Sequence, residues 1–346
     1  MGEIKDIKNL TLEELKAELA GMGEPTYRAG QIFAWLYQKG AAKFEAFTNL
    51  LKRFRDKLGA EYSISRLELY SVFRSQDRTQ KFLFKLDDGN FIETVLIPTG
   101  ARTTICLSTQ VGCKFSCAFC ASGLKGFVRN LTPAEMVNQV LFLRHDLNAP
   151  ASNVVFMGMG EPLDNYENVA KAIRIMNSAE GLGIAARRIT VSTCGIIPGI
   201  GRLMGLGLQV NLSISLHAAK DETRTRLMPV NKKYPLEALI RACRDYIEGG
   251  GRKITLEYVL IRGVNDSPAD ADGLARIAHR LKAKVNLIPF SPVSGLPCET
   301  PSEDVIRLFV ERLEERNVPV TLRHSKGEDI QAACGQLAGR ISERLP

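Results

Sequence analysis

The sequence has no long hydrophobic run. Its N-terminal MGEIKDIKNL lacks the apolar core of a signal peptide, and the oiliest stretch, from Cys194 to Leu216, is broken by glycine, proline and Arg202. A soluble, cytoplasmic protein with no membrane partner is expected. There is no repeat of roughly 20–50 residues and no low-complexity tract, which argues against solenoids and disordered chains. Eight cysteines in 346 residues are too sparse for a disulfide scaffold, yet three of them crowd into eight positions. That crowding points to metal chemistry in a reducing compartment. Histidine is scarce, with four in the chain, and His145, His279 and His324 show no ligand spacing.

What is present is ordinary for a globular protein: 45% hydrophobic and 24% charged residues, in a chain about twice the usual single-domain length. Lys and Arg outnumber Asp and Glu by 46 to 38, which favours an anionic partner such as nucleic acid, with a solvated basic surface as the alternative. The first hundred residues hold 15 basic against 14 acidic side chains, so the positive field belongs to the rest of the chain.

Thr11 and Glu14 make a capping-box pattern before Leu12, Leu15 and Leu19; further helical patterns run through Tyr27 to Leu36 and Thr48 to Leu58. Residues 1–62 read as a small helical accessory domain whose KRFRDK run is a candidate RNA contact or a solvated helix face. Residues 63–100 read as linking antiparallel strands, with Asp88-Gly89 as a hairpin signal. Beyond these, TTICLS, NVVFMG, RITVST, VNLSISL, ITLEYVL and VNLIPF are six strand patterns alternating with helices that open after Thr132-Pro133, Pro235, Ser267-Pro268 and Ser302. Residues 101–346 are thus an α/β domain with a six-stranded parallel sheet, open or partly closed as an incomplete barrel. Its ligands belong at the C-terminal ends of the strands.

The first of these strands runs into Cys113-Lys-Phe-Ser-Cys117-Ala-Phe-Cys120, a CxxxCxxC loop. Three thiolates with no nearby fourth cysteine or histidine suit a metal centre with an open position; structural zinc completed by a distant cysteine is the alternative. The spacing resembles the signature of the radical S-adenosylmethionine (SAM) enzymes. That resemblance implies that Cys113, Cys117 and Cys120 hold a [4Fe-4S] cluster whose fourth iron is chelated by SAM. Met157-Gly-Met-Gly160-Glu161-Pro162 resembles the family's glycine-glutamate-proline turn, and Ser192 and Ser215-Leu216-His217 end two later strands, as residues lining the cofactor cleft should. The implied SAM contacts are Gly160, Glu161, Ser192, Ser215, Leu216, His217 and the position of Ser291. At that last position the family carries an asparagine, and serine is shorter while keeping a donor and an acceptor.

From GEPTYRAGQIFAWLY through FIETVLIP, MGMGEPLDN, SLHA and RLMPVNKKYPLEAL to ACGQLAG, the chain resembles the dual-specificity ribosomal and transfer RNA adenine carbon-2 methyltransferases. Carbon 2 of adenine is electron-poor and has no lone pair, so it cannot displace a methyl group from SAM. A thiolate can. The resemblance implies that Cys334 takes the methyl, and that a second SAM, reduced at the cluster, yields a radical that removes hydrogen from the S-methyl group so that the carbon adds to the ring. Two SAM are thus used per turnover. The covalent RNA adduct is resolved by Cys106 through a transient disulfide with Cys334, and Glu93 matches the position of a proton acceptor. Implied partners are 23S rRNA and tRNA, an electron donor such as flavodoxin and a disulfide reductant, for an enzyme acting as a monomer. A sister family methylates carbon 8 of the same adenine with the same cysteines and confers ribosomal antibiotic resistance; a zinc-stapled RNA-binding module without catalysis is a more distant reading. Such an enzyme needs an unstacked base. Candidate phosphate contacts near the strand ends are Lys125, Arg129, Arg224, Arg226, Lys232 and Lys233. Cys194, Cys243 and Cys298 match no functional position, and small buried hydrophobes are their expected role.

Overall fold

Local caps set where the helices start, and a single sheet gathers what lies between them. The computed structural model describes residues 4–100, 102–124, 126–293 and 295–339. In the N-terminal part, α1 (Leu12–Gly21) opens on the expected capping box: the Thr11 hydroxyl accepts from the Glu14 N–H, and the Glu14 carboxylate accepts from the Thr11 N–H. It buries Leu15 and Leu19 against α2 (Arg28–Phe33) and α3 (Lys52–Glu61). The third helix starts at Lys52 rather than Thr48, because Thr48 and Leu50 turn back onto the carbonyls of Ala46 and Phe47. Of the KRFRDK run, Lys52 pairs with Asp56 at 3.2 Å and Lys57 donates to the Met22 carbonyl at 3.2 Å, so local contacts take part of that charge.

A ten-stranded sheet follows in strict chain order: β1 (Glu68–Arg74), β2 (Gln80–Lys85), β3 (Phe91–Thr99), β4 (Arg102–Cys106), β5 (Asn153–Phe156), β6 (Ile189–Thr193), β7 (Asn211–Ser215), β8 (Thr255–Leu260), β9 (Lys284–Pro289) and β10 (Val320–Leu322). The first four strands are antiparallel and the rest run parallel from β4 onward. The linking ribbon is therefore continuous with the barrel sheet, joined where Val95 faces Cys106. All six expected parallel strands form, and the three-residue β10 adds a seventh at the edge.

Crossover helices cover the outer face: α4 (Pro133–Leu141), α5 (Tyr166–Asn177), α6 (Ile197–Met204), α7 (Asp221–Leu227), α8 (Leu236–Glu248), α9 (Pro268–Leu281) and α10 (Glu303–Glu315). Thr132 and Ser267 close capping boxes with proline at the first helical turn, as their sequences predict. One hydrophobic core runs from the N-terminal helices through the crossovers. Among the described residues, no helix is long and apolar enough to cross a membrane.

Candidate active site

A cavity of about 860 Å³, counted to its mouth, opens at the C-terminal ends of the parallel strands. Cys113, Cys117, Cys120, Gly160, Glu161, Ser192, Ser215, His217 and Cys334 all line it, from five separate stretches of chain. Glu93, Cys106, Leu216 and Ser291 do not. The sheet topology performs this convergence, because neighbouring parallel strands end at the same level.

The three-cysteine loop is closed at its base by a short antiparallel pair, Gln110–Gly112 with Phe127–Asn130. Gly112 has a φ of +73°, and a Cβ there would sit 1.8 Å from the Gly126 carbonyl oxygen, so no larger residue fits at the loop's mouth. The Ala118 N–H reaches the Leu227 carbonyl at 2.9 Å, and the Phe119 ring meets His217 edge-on at 4.8 Å, fixing the loop over the strand ends. Burial pushes the Cys113 thiol up to about 12, and raises Cys117 and Cys120 as well. Such thiols ionise only when a cation compensates the lost solvation. Among the described residues no three cysteine, histidine or carboxylate groups are gathered around a single ion. A four-iron cube takes each thiolate at its own iron, and three cysteines leave one iron open. The donor set fits a [4Fe-4S] cluster with an exchangeable ligand.

At the end of β5, Gly160 has a φ of +94°, and a Cβ would lie 2.5 Å from that of Gln110. The Glu161 carboxylate is buried and accepts from the N–H groups of Leu163 at 3.0 Å and Cys194 at 2.8 Å, locking the β5 turn to the end of β6. Its own N–H donates to Gln110 Oε1 at 2.8 Å. Ser192 and Ser215 lie side by side on β6 and β7, with hydroxyl oxygens 3.4 Å apart. His217 adopts a left-handed backbone and accepts the Val259 N–H on Nδ1 at 3.0 Å. Burial, reinforced by the Arg224 charge, lowers its pKa to about 3, so the imidazole is neutral and Nε2 carries the proton. Leu216 contributes its backbone: its side chain is buried and its N–H donates to the Glu257 carbonyl at 3.0 Å.

Cys334 sits in a C-terminal segment tied down at many points. The Ala121 N–H donates to the Gly335 carbonyl and the Ser122 hydroxyl to the Leu337 carbonyl, both at 2.7 Å, which welds this segment to the cysteine loop. On its other side, the buried Glu93 carboxylate accepts from the Ala338 N–H at 2.7 Å and the Gly339 N–H at 3.0 Å. Glu93 also pairs with buried Lys81 at 3.1 Å, and Lys81 donates to the Gln331 carbonyl at 3.1 Å. Glu93 is thus a buried anchor for the segment rather than a solvated hairpin residue. The Cys334 thiol is open to the cavity's solvent yet walled by protein, and burial raises its pKa against the pull of the Arg323 guanidinium. Cys106 is buried in a small cluster with Val95, Met159, Ile330 and Leu337, the last two on either side of Cys334 in the chain, and is near enough to feel the charge of Cys334. Burial, reinforced by the charge Cys334 would carry, pushes Cys106 up to about 12. Ser291 is buried and donates to the Ser325 hydroxyl at 2.6 Å, so the hydroxyl in place of asparagine is used within the protein.

The candidate phosphate contacts divide. Arg224 is fully buried: it donates to the carbonyls of Cys194 at 2.7 Å and Leu216 at 3.2 Å and to Asn231 Oδ1 at 2.7 Å, bracing the ends of β6 and β7. Its sequence, DETRTRL, reads as a solvated helix turn, and only the fold turns that side chain inward. It is not available to RNA. Arg129 is held by Asp88 at 2.5 Å and Glu135 at 2.8 Å. Arg226, Lys232 and Lys233 are exposed, and Lys125 lies outside the described residues. Glu257, in the middle of β8, lines the cavity and was not singled out by sequence; a lone carboxylate in an otherwise apolar or neutral strand was the available signal.

The family described as the radical SAM superfamily matches residues 107–272, and that of the ribosomal RNA large subunit methyltransferase N-terminal domain matches residues 5–64. The chain is 48% identical over 340 residues to the dual-specificity RNA methyltransferase RlmN of Geotalea uraniireducens, covering 98% of each chain. It is also 48% identical to the protein of that name from Geobacter sulfurreducens, over 100% of this chain and 95% of the relative. The crystal structure of a radical SAM methyltransferase from Sphaerobacter thermophilus superposes with a TM-score of 0.91 at 45% identity, covering 97% of this chain and all of that one. With its cysteine loop, strand-end residues and full-length kinship, the chain belongs to the RlmN family of radical SAM RNA methyltransferases, whose cofactors are a [4Fe-4S] cluster and SAM.

Proposed function

We propose that this enzyme methylates carbon 2 of a specific adenine in 23S rRNA and in tRNAs, with Cys334 as the methyl carrier and Cys106 as the resolving thiol. The observation that carries the reading is that Cys334 lines the same cavity as Cys113, Cys117 and Cys120 although more than two hundred residues separate them. Cys113, Cys117 and Cys120 hold the cluster; Gly160, Ser192, Ser215 and His217 line the space for SAM, and Glu161 and Leu216 shape it through their hydrogen bonds. Bound there, the reduced cluster and SAM supply the radical that abstracts hydrogen.

The residues of the chain do the rest. Cys334, as thiolate, displaces the methyl group from SAM, forming an S–CH₃ bond and releasing S-adenosylhomocysteine. The Arg323 charge favours that thiolate. The anchors from Lys81, Glu93, Ala121 and Ser122 fix the sulfur so that its methyl group faces the ring. Addition of the resulting methylene radical to carbon 2 forms the C–C bond, and the adduct gives up one electron, for which the cluster would be the acceptor. Cys106, as thiolate, then attacks the Cys334 sulfur; the S–CH₂ bond breaks, its electron pair goes to the methylene carbon, and a proton taken up there completes the methyl group. By the family resemblance Glu93 accepts the carbon-2 proton at this stage, although it stands behind the cavity wall on Lys81, Ala338 and Gly339. The resulting disulfide requires an external thiol reductant, and the cluster an electron donor such as flavodoxin. The N-terminal helical part, residues 1–62, serves RNA binding, and the enzyme acts as a monomer.

The test is anaerobic reconstitution with iron and sulfide, then incubation with unmodified RNA, reductant and methyl-labelled SAM, with nucleoside mass spectrometry of wild type and Cys334→Ala in parallel. 2-Methyladenosine from the wild type alone is expected. 8-Methyladenosine would move the chain to the sister chemistry, and an active Cys334→Ala enzyme would refute the methyl-carrier role.

A further inference from the structure

The interior of a closed α/β barrel is normally filled by branched apolar side chains. Here it is hollow and polar. Thr190, Asn211, Ser213, Thr255, Glu257 and Asn286 project from β6 to β9 into a second cavity of about 1490 Å³, counted to its mouth, which opens at the strands' N-terminal ends. Met157 and Glu257 line both this space and the catalytic cavity, so the two meet at their level.

The catalytic cavity's own mouth is narrowed. The cysteine loop and the Cys334 segment flank it at the C-terminal ends and are hydrogen-bonded to each other. The gap between the sheet's edges is crossed by the chain after β10: the Gly327 N–H donates to Asp77 at 3.1 Å, the Gln76 N–H to Asp329 at 3.2 Å, and Lys81 and Glu93 hold the continuation.

The open N-terminal mouth is cationic. Arg252, Lys253, Lys282 and Lys284 are exposed around it and Arg323 stands half-buried within, and the one carboxylate among the lining residues is the buried Glu257. Among the described residues none of the five cations lies within ion-pair distance of a carboxylate; Arg252 donates to Asn211 Oδ1 at 2.9 Å. Deeper in, Glu257 is 4% exposed, its Oε1 accepts from Asn286 at 3.1 Å, and its Oε2 has no partner. A buried carboxyl oxygen left unpaired costs stability unless a ligand satisfies it. Burial raises the Glu257 pKa, favouring the protonated carboxyl, and in that form the group both donates and accepts. The amidine edge of adenine, an amino group beside a ring nitrogen, offers the complementary pair.

We propose that the target nucleotide reaches the catalytic cavity through the N-terminal mouth of the barrel, with the flanking RNA phosphates held by Arg252, Lys253, Lys282 and Lys284 and the base passing Arg323 to meet Glu257. This rests on the RNA methyltransferase reading above. It places the RNA opposite the strand-end face on which Arg226, Lys232 and Lys233 lie.

The test uses the reconstituted holoenzyme carrying Arg252→Ala, Lys253→Ala, Lys282→Ala and Lys284→Ala together. Methyl transfer to Cys334, which needs SAM but no RNA, is measured beside RNA affinity and steady-state methylation of RNA. The KM for RNA is expected to rise at least tenfold with kcat within about twofold, and the slope of log affinity against log salt to shrink by about 0.7 for each phosphate that is no longer neutralised. A Lys253→Arg, Lys282→Arg and Lys284→Arg enzyme should keep the wild-type KM. A wild-type KM and salt slope in the alanine variant would overturn the proposal, as would losses that fall instead on an Arg226→Ala, Lys232→Ala and Lys233→Ala enzyme. RNA left unmethylated by the wild type itself would overturn the reaction reading, which is a separate result from an unchanged KM.

Discussion

Glu93→Gln separates two roles that one carboxylate holds at once. In the folded protein Glu93 pairs with Lys81 at 3.1 Å, with side chains 4% and 6% exposed, and receives the N–H groups of Ala338 and Gly339. Glutamine keeps the shape and one acceptor oxygen but leaves the Lys81 ammonium buried without its counter-ion. Removing one partner of a buried pair costs about 3–5 kcal/mol, because the other charge remains desolvated. Undocking the C-terminal segment lets Lys81 reach water, so that cost falls on the docking equilibrium. The undocked fraction should rise by about 150- to 4,000-fold. Hydrogen exchange at Ala338 and Gly339 reads this directly: protection should fall by that factor, and RNA methylation should fall with it.

The neutral pair Lys81→Met with Glu93→Gln removes both charges and should recover most of the protection. If RNA then stays covalently bound to Cys334, the proton-accepting role of Glu93 stands apart from its anchoring role; if methylated product returns, anchoring alone is needed. Wild-type protection and turnover in the single Glu93→Gln variant would refute the reasoning from burial.

Gly160→Ala forces a Cβ to within 2.5 Å of Gln110 at a left-handed position, so SAM affinity measured by equilibrium dialysis should fall at least tenfold while the N-terminal helices stay folded. Cys106→Ala should take up the methyl group on Cys334 normally but accumulate an RNA-linked protein band on denaturing gels. Lys8 is buried, donates to the Ser65 carbonyl and Asn138 Oδ1 at 2.7 Å each, and burial lowers its pKa to about 8. The folded state therefore sheds that proton before the unfolded chain does. Relative to Lys8→Met, wild-type stability in urea should rise by about 1.4 kcal/mol per pH unit from about pH 8 to about pH 10.4 and be flat below that window.

What the sequence discloses is what depends on neighbours along the chain. The capping boxes at Thr11, Thr132 and Ser267 are three-residue patterns, and all three start helices where they fall. The cysteine spacing and the glycines of MGMGEP are equally local, and the side chains they announce line the cavity. The failures are long-range. Nothing near Arg224 in DETRTRL says that it faces inward to the carbonyls of Cys194 and Leu216. Glu93 reads as half of a hairpin pattern because its partners, Ala338 and Gly339, come about 245 residues later. The three residues of β10 carry too little pattern to declare a strand, and only pairing with β9 makes them one.

One long-range feature had a local signal. Parallel strands with both faces covered should read as unbroken apolar runs, yet NLSIS, TLEYVL and KVNLIP carry a polar residue at alternate positions. The alternating residues Asn211 and Ser213, Thr255 and Glu257, Lys284 and Asn286 all turn toward the same lumen. An apolar filling would be worth about 25 cal/mol for each Å² of surface removed from water. A barrel that forgoes it in three adjacent strands is less stable than it could be, and selection retains such a loss where the space is used. A hollow polar lumen with cations at its rim and Cys334 at its far end is the shape an unstacked adenine on a phosphate backbone requires.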